Sequence, residues 1–151
     1  MEWDGRAATS GAWQATAGRA LVSYSPGTHR RCSGIAGTYI RPHRHRTGKW
    51  ELVSVLQGGV DLVLFTGTGT VKSRLAIGSE TIAVAEIPGG AWHSFVFHKP
   101  AAVILEVKPG PYEPQNDKEF AEWAPLEGHS TVTSFVGWLE KAQPGETWRK
   151  P

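Results

Sequence analysis

The chain has 151 residues, 40% of them hydrophobic and 20% charged, with a formal net charge of +2 at pH 7. By length this is one domain that can bury a core without disulfides, and its lone cysteine, Cys32, excludes an intramolecular bridge. The charge is too evenly balanced to argue for nucleic acid, no apolar run reaches membrane-spanning length, and the N-terminus lacks a secretory layout. Arg30-Arg31 precedes no apolar run, against a twin-arginine signal, so the expected location is the cytoplasm.

Residues 1–28 are rich in Ala, Gly, Ser and Thr with isolated Trp3 and Trp13, and read as a loose extension; Ala15 to Tyr24 suits a short helix or an edge strand equally. From Arg31 the chain turns to short β-type runs divided by Gly and Pro. They are Thr38 to Ile40, Trp50 to Gln57, Val60 to Phe65, Val71 to Ala76, Thr81 to Ile87, His93 to Phe97 and Ala102 to Lys108. Short strands at this spacing predict an all-β barrel or sandwich. Thr66-Gly-Thr-Gly-Thr70 lies between two such runs with no helix after it, so it predicts a hairpin and not a phosphate loop. Beyond Gly110-Pro111 the pattern changes. Asn116 or Asp117 can cap a short helix through Glu119, Phe120 and Trp123. A second helix is predicted from Ser130 or Thr131, with Val132, Phe135, Val136 and Leu139 on one face and Pro144-Gly145 beyond its end, closing the barrel or joining two subunits.

The chemistry concentrates in Gly37-x5-His43-Arg-His45-x5-Glu51-x6-Gly58 and, downstream, Pro88-Gly-Gly-Ala-Trp-His93. Histidines two apart on a strand point to one face, roughly 7 Å apart at Cα, so both rings can reach one ion. Glu51 shares a strand face with Val53 and Val55, where a carboxylate needs a cation, and His93 enters at the start of a later strand behind a Pro-Gly-Gly turn. Taken alone, His43 and His45 would be surface histidines on a basic loop with Arg41, Arg44 and Arg46; Glu51 and His93 turn the reading to a metal site. Three imidazoles and a carboxylate accept zinc, iron or manganese first, and nickel or cobalt as well. His29, His98 and His129 fall outside the array and need only ordinary roles.

Order and spacing resemble the two motifs of the cupin superfamily, whose small barrels hold a metal with two histidines and a glutamate from the first motif and a histidine from the second. Phe97 stands where that pattern usually has asparagine, and no glycine lies six residues before Pro88; neither departure removes a ligand. Tyr39-Ile-Arg-Pro-His-Arg-His, Gly48-Lys-Trp-Glu, Glu86-Ile-Pro, Leu105-Glu-Val-Lys-Pro-Gly-Pro-Tyr112 and Asp117-Lys-Glu-Phe-Ala-Glu-Trp-Ala-Pro125 further resemble the WbuC family of cupin-fold metalloproteins, over about Arg31 to Lys141. The resemblance implies a jelly-roll (double-stranded β-helix) cupin barrel over residues 29–151, with one or two C-terminal helices, one divalent metal and a homodimer. It names no reaction.

Around the metal, regular alternation would put Tyr39 and Arg41 on the histidine face, where Arg41 can grip a carboxylate or phosphate or brace a neighbouring acid. Lys49, close to Glu51, is a candidate anion contact or proton donor. Glu106 and Lys108 share a strand face and either pair in the pocket or face solvent, and Tyr112 can cap the barrel mouth. Trp50 and Trp92 should point away from the metal. Catalytic candidates are therefore Lys49, Glu106 and Tyr112, and substrate contacts are Arg41 and Lys108. The expected ligand is a small anionic or sugar-like molecule, and WbuC members' association with O-antigen gene clusters leans towards surface-polysaccharide metabolism. An isomerase or epimerase, a hydrolase, a lyase, or a dioxygenase with iron can all use this equipment. The alternative is a non-catalytic, metal-dependent ligand-binding or sensor module.

Overall fold

The computed structural model describes residues 21–24, 29–110 and 117–150, with the backbone alone for Leu21–Tyr24 and His29–Arg31. Among the described residues ten strands and one helix follow in chain order: β1 (Leu21–Tyr24), β2 (His29–Gly34), β3 (His43–Arg44), β4 (Glu51–Gln57), β5 (Gly59–Phe65), β6 (Val71–Gly78), β7 (Val84–Ile87), β8 (Trp92–Phe97), β9 (Ala102–Val107), β10 (Glu119–Phe120) and α1 (Val132–Leu139). They build two five-stranded sheets, ordered β1-β2-β9-β4-β7 and β10-β3-β8-β5-β6, in which every paired strand is antiparallel. This is the jelly-roll architecture expected from the sequence.

Period-two alternation decides what lies between the sheets. Val53 of β4 and Ile104 of β9 meet Val60 and Leu62 of β5 and Phe95 and Phe97 of β8 in one buried cluster that includes Cys32, Ile77, Ile87 and Ala102. The alternate residues of β5 and β8 face outward and are buried too. Val63, Phe65 and Val96 pack with Tyr39, Ala121, Ala124, Ala142 and the Phe135 and Leu139 face of α1 in a second cluster. Strands β5 and β8 are thus covered on both sides, which explains their nearly continuous apolar sequence.

The helix therefore roofs the outer face of the second sheet, and does not close the barrel mouth. Phe135 and Leu139 are buried against the chain itself, so they offer no free apolar face for joining subunits. Arg74 of β6 pins its C-terminal end. Its Nη1 donates to the carbonyls of Leu139 (2.7 Å) and Ala142 (3.2 Å), its Nη2 to that of Glu140 (3.1 Å), and its Nε to Asp61 Oδ2 (2.8 Å). A guanidinium satisfies orphan carbonyls and sits at the negative end of the helix dipole.

Several local expectations are corrected. Asp117 to Trp123 is not helical: Glu119 and Phe120 pair with Arg44 and His43, and Ala121 N–H donates to Pro42 O, because the open edge of β3 offers hydrogen-bond partners that an isolated turn of helix lacks. One C-terminal helix remains among the described residues. Thr38 to Ile40 is irregular backbone; Thr38 Oγ1 accepts from Ile35 N–H, and Ile40 O accepts from Ser94 Oγ. The run from Thr81 is a strand from Val84 only. Leu21–Tyr24, at the end of the segment read as a loose extension, takes the edge-strand alternative and pairs with β2. The threonine-glycine segment is a hairpin, as expected, with Thr66 N–H donating to Thr70 O.

Candidate metal centre

Three strands and the segment after the first of them deliver the four predicted side chains to one place. His43 of β3 stands opposite His93 of β8 in register, their rings 4.4 Å apart between centroids. Glu51 opens β4 on the facing sheet, and His45 follows β3 in the bend towards it. One ligand atom from each of the four lies within 4.8 Å of all the others. Exposure is 4% for His43, 3% for His45, 1% for Glu51 and 0% for His93, so water does not solvate the carboxylate and the protein must supply its counter-charge.

Two turns hold these segments together. Gly90 N–H donates to His45 O (2.8 Å), which straps the Pro-Gly-Gly turn ahead of His93 to the bend carrying His45. Gly89 approaches so closely that a Cβ would meet Arg46 O at 2.6 Å, and Gly90 has φ +86°. The glycines of the second motif thus set the distance between two ligand-bearing loops.

Backbone carbonyls also orient the rings. The Nδ1–H groups of His43, His45 and His93 donate to Arg41 O (2.9 Å), Asp117 O (2.6 Å) and Ala91 O (3.0 Å). A carbonyl cannot donate, so each bond places a ring proton on Nδ1 and turns Nε2 inward, where it can face an ion or hydrogen-bond the Glu51 carboxylate. His45 Nε2 then lies 2.8 Å from Glu51 Oε2 and 3.1 Å from Lys108 Nζ, an acceptor and a donor on one nitrogen. His93 Nε2 is 3.2 Å from the same carboxylate oxygen and, among the described residues, has no aligned hydrogen-bond partner. Converging lone pairs and a carboxylate, with one buried nitrogen orphaned, are what a divalent cation satisfies. The residues fit a metal.

Electrostatics agree. Burial first, then neighbouring His93 and Lys118, hold His43 well below the ordinary imidazole range, so it is neutral at pH 7. Burial alone would raise the Glu51 carboxyl, but His45, His93 and Lys108 outweigh it and hold the group well below the usual carboxylate range.

The surroundings divide the remaining predicted residues. Lys108 is at the ligand set, 3.6 Å from Glu51, and also 3.7 Å from both Glu106 and Asp117; of the two alternatives for Glu106 and Lys108, pairing in the pocket is the one observed. Arg41 turns away from the cluster. Its Nη2 donates to Ala121 O (2.6 Å), its guanidinium lies 5.4 Å from the Phe120 ring centroid, and it lines a separate cleft of about 390 Å³ with Trp123, His129 and Trp148. Tyr39 is likewise outside: its hydroxyl donates to Pro125 O (2.7 Å), and burial pushes its pKa up. The regular alternation assumed for both fails at Pro42 because residues 38–42 form no strand. Lys49 is half-buried in the turn between His45 and Glu51, its N–H bonded to Arg46 O. Tyr112 lies outside the described residues. Trp92 packs outward beneath the Arg44 guanidinium (4.6 Å), and Trp50 is exposed. The sequence reading missed Asp117 as the anchor of His45; nothing in the pattern signals it, since it lies 72 residues on and acts through its backbone.

Fold and cluster together define a cupin barrel with a candidate three-histidine, one-glutamate centre, and comparison with known proteins agrees on the fold. A family described as a domain of unknown function, DUF6016, matches residues 25–77, a stretch containing His43, His45 and Glu51. No curated protein matches the chain. A dTDP sugar isomerase from Desulfovibrio desulfuricans G20 is similar in structure with a TM-score of 0.54 and 18% identity, covering 70% of this chain and 69% of that one. CapF, a capsular polysaccharide assembling protein from Staphylococcus aureus, gives a TM-score of 0.56 and 16% identity over 76% of this chain, which spans only 33% of CapF. A variant of ChmJ, a 3'-monoepimerase from Streptomyces bikiniensis in complex with dTDP, gives a TM-score of 0.53 and 11% identity over 66% of this chain and 53% of that one. No helix among the described residues is long and apolar enough to cross a membrane.

Proposed function

We propose that this chain is a metal-dependent cupin that holds one divalent transition metal through His43, His45, Glu51 and His93 and binds or transforms a small anionic, sugar-like metabolite. The observation that carries the reading is the inward convergence of three Nε2 atoms on Glu51, imposed by three Nδ1–H bonds to backbone carbonyls. Bound there, the metal supplies Lewis acidity and can lower the pKa of a coordinated water. The chain's own groups orient the rings, keep His43 neutral as a ligand must be, and place the Lys108 ammonium beside the centre as a contact for an anion.

The sugar-like substrate class is supported by the activities of the dTDP sugar isomerase and the 3'-monoepimerase that share the fold, and surface-polysaccharide metabolism by the WbuC resemblance. Both supports are analogies and rank below the site geometry. From the WbuC resemblance we also take the assembly to be a homodimer, with sedimentation of a monomer at high concentration as the contrary result.

The test has two stages. Elemental analysis of protein purified without chelator should find about one equivalent of transition metal, lost in His43→Ala; no metal, or unchanged uptake in the variant, rejects the centre. Loaded protein is then offered a panel of sugar nucleotides and sugar phosphates. Turnover that vanishes on metal removal marks an enzyme, whereas saturable binding without product marks a ligand-binding module.

A further inference from the structure

Lys108 is placed where a second cation has no business if the centre holds a metal. Its ammonium is 3.1 Å from His45 Nε2 and 3.6 Å from Glu51 Oε1, which are atoms of the ligand set itself. The His45 ring has no latitude, because Nδ1–H is committed to Asp117 O at 2.6 Å. Nε2 therefore has one in-plane direction left, shared by Glu51 Oε2 at 2.8 Å and the ammonium at 3.1 Å, and an ion that binds there must displace the ammonium. The ammonium has somewhere else to go. Glu106 Oε2 and Asp117 Oδ2 each lie 3.7 Å from it, and both residues are buried, so the alternative contacts are as sheltered as the first.

We propose that Lys108 is a tethered stand-in for the metal: its ammonium holds His45 and Glu51 in the ion-free protein and moves onto Glu106 and Asp117 when an ion takes the Nε2 lone pair. The inference rests on the metal reading above and adds a competition internal to the protein. Its first consequence is that the ligand set stays assembled without metal, because a buried carboxylate and three inward lone pairs keep a positive partner. Its second is a lower affinity, since the ion must displace that partner. Its third concerns the pocket: metal loading moves the ammonium away from His45 while leaving it beside the centre, where an anionic ligand can meet it. Lys108 acts here as a positioning residue.

The experiment compares the full-length unaltered protein with Lys108→Met and Lys108→Gln, titrating zinc against a chromophoric chelator and following thermal unfolding with and without zinc. Lys108→Met removes both the charge and the donor; it should bind zinc about tenfold tighter or more, unfold at lower temperature without zinc, and gain more from zinc than the unaltered protein. Lys108→Gln removes the charge but keeps an N–H for Nε2, so its affinity should fall between the two. A purely structural lysine would give weaker zinc binding in both variants, which overturns the proposal. Equal tightening in both overturns it too, leaving charge repulsion without competition for the lone pair. If Lys108→Met does not fold, unchanged or weaker zinc binding by Lys108→Gln overturns it alone. No zinc uptake by the unaltered protein rejects the centre itself, a result distinct from uptake that the variants fail to tighten.

Discussion

Replacing Glu51 with glutamine keeps the shape of the side chain and removes its charge, which separates what the carboxylate does for the fold from what it does for the metal. Glu51 is 1% exposed, with His45 Nε2 at 2.8 Å, His93 Nε2 at 3.2 Å and Lys108 Nζ at 3.6 Å. Its depressed pKa means that the fold favours the charged form, so Glu51→Gln should cost the ion-free protein about 3 kcal/mol, the usual consequence of leaving a buried cation without its partner. At about 2–4 °C per kcal/mol for a chain of this size, Tm falls by about 6–12 °C. The metal effect is additional. A metal at about 100 times its Kd stabilises the folded state by about 2.7 kcal/mol, a rise of about 5–11 °C in the unaltered protein. Glu51→Gln should lose most of that rise, having given up the one anionic ligand. The assay is scanning calorimetry of chelator-treated protein over a series of zinc and manganese concentrations at neutral pH. A variant that is less stable but keeps the full metal-dependent rise would refute the assignment of Glu51 as a ligand while leaving its structural role intact.

Acid should destabilise the ion-free protein in a defined window. His43 is held below the ordinary value of 6.5, so the unfolded chain takes up its proton first and stability is lost as pH falls through about 6.5; one such proton is worth about 1.4 kcal/mol by pH 5.5. Depressed Glu51 adds loss in the same direction below its ordinary value of 4.5. Thermal melts from pH 7.5 to 5.0 should show the slope, and His43→Gln should flatten it; an unchanged slope counts against a neutral buried His43. Gly89→Val places a Cβ 2.6 Å from Arg46 O, so it should push apart the bends carrying His45 and His93 and weaken zinc binding at least about tenfold, read by chelator competition; unaltered affinity would contradict the strapped-turn account. Arg74→Met leaves Asp61 with His98 Nε2 (3.0 Å) as its remaining partner and strands the carbonyls at the end of α1, and should cost about 2–4 kcal/mol in urea unfolding with zinc affinity unchanged. A parallel loss of zinc affinity would show that the helix-covered face reports to the centre.

The ligand set was legible because its members stand in short strands with fixed periods. His43 and His45 lie two apart, Glu51 opens an alternating run, and His93 follows a turn whose glycines have a visible reason, the close approach of Gly89 to Arg46. Lys108 was legible as a face-mate of Glu106. Arg41 and Tyr39 were misplaced because alternation was carried through Pro42, where the backbone forms no strand; Tyr39 leaves for the cluster beneath α1 and Arg41 for the Ala121 carbonyl and the neighbouring cleft.

By itself the sequence determined the barrel class, the candidate ligand residues and the amphipathic α1, since each depends on residue type and local period. The tertiary structure decided the rest. It made Glu119 and Phe120 a short strand and not part of a helix, by offering the open edge of β3. It laid α1 over the outer face of the second sheet and tied its end to Arg74, a partner 65 residues away from Leu139. It also brought the Asp117 carbonyl to His45 and the Lys108 ammonium between three carboxylates. Such contacts belong to no local pattern, because backbone carbonyls carry no sequence signature and the residues they join are separated by whole strands.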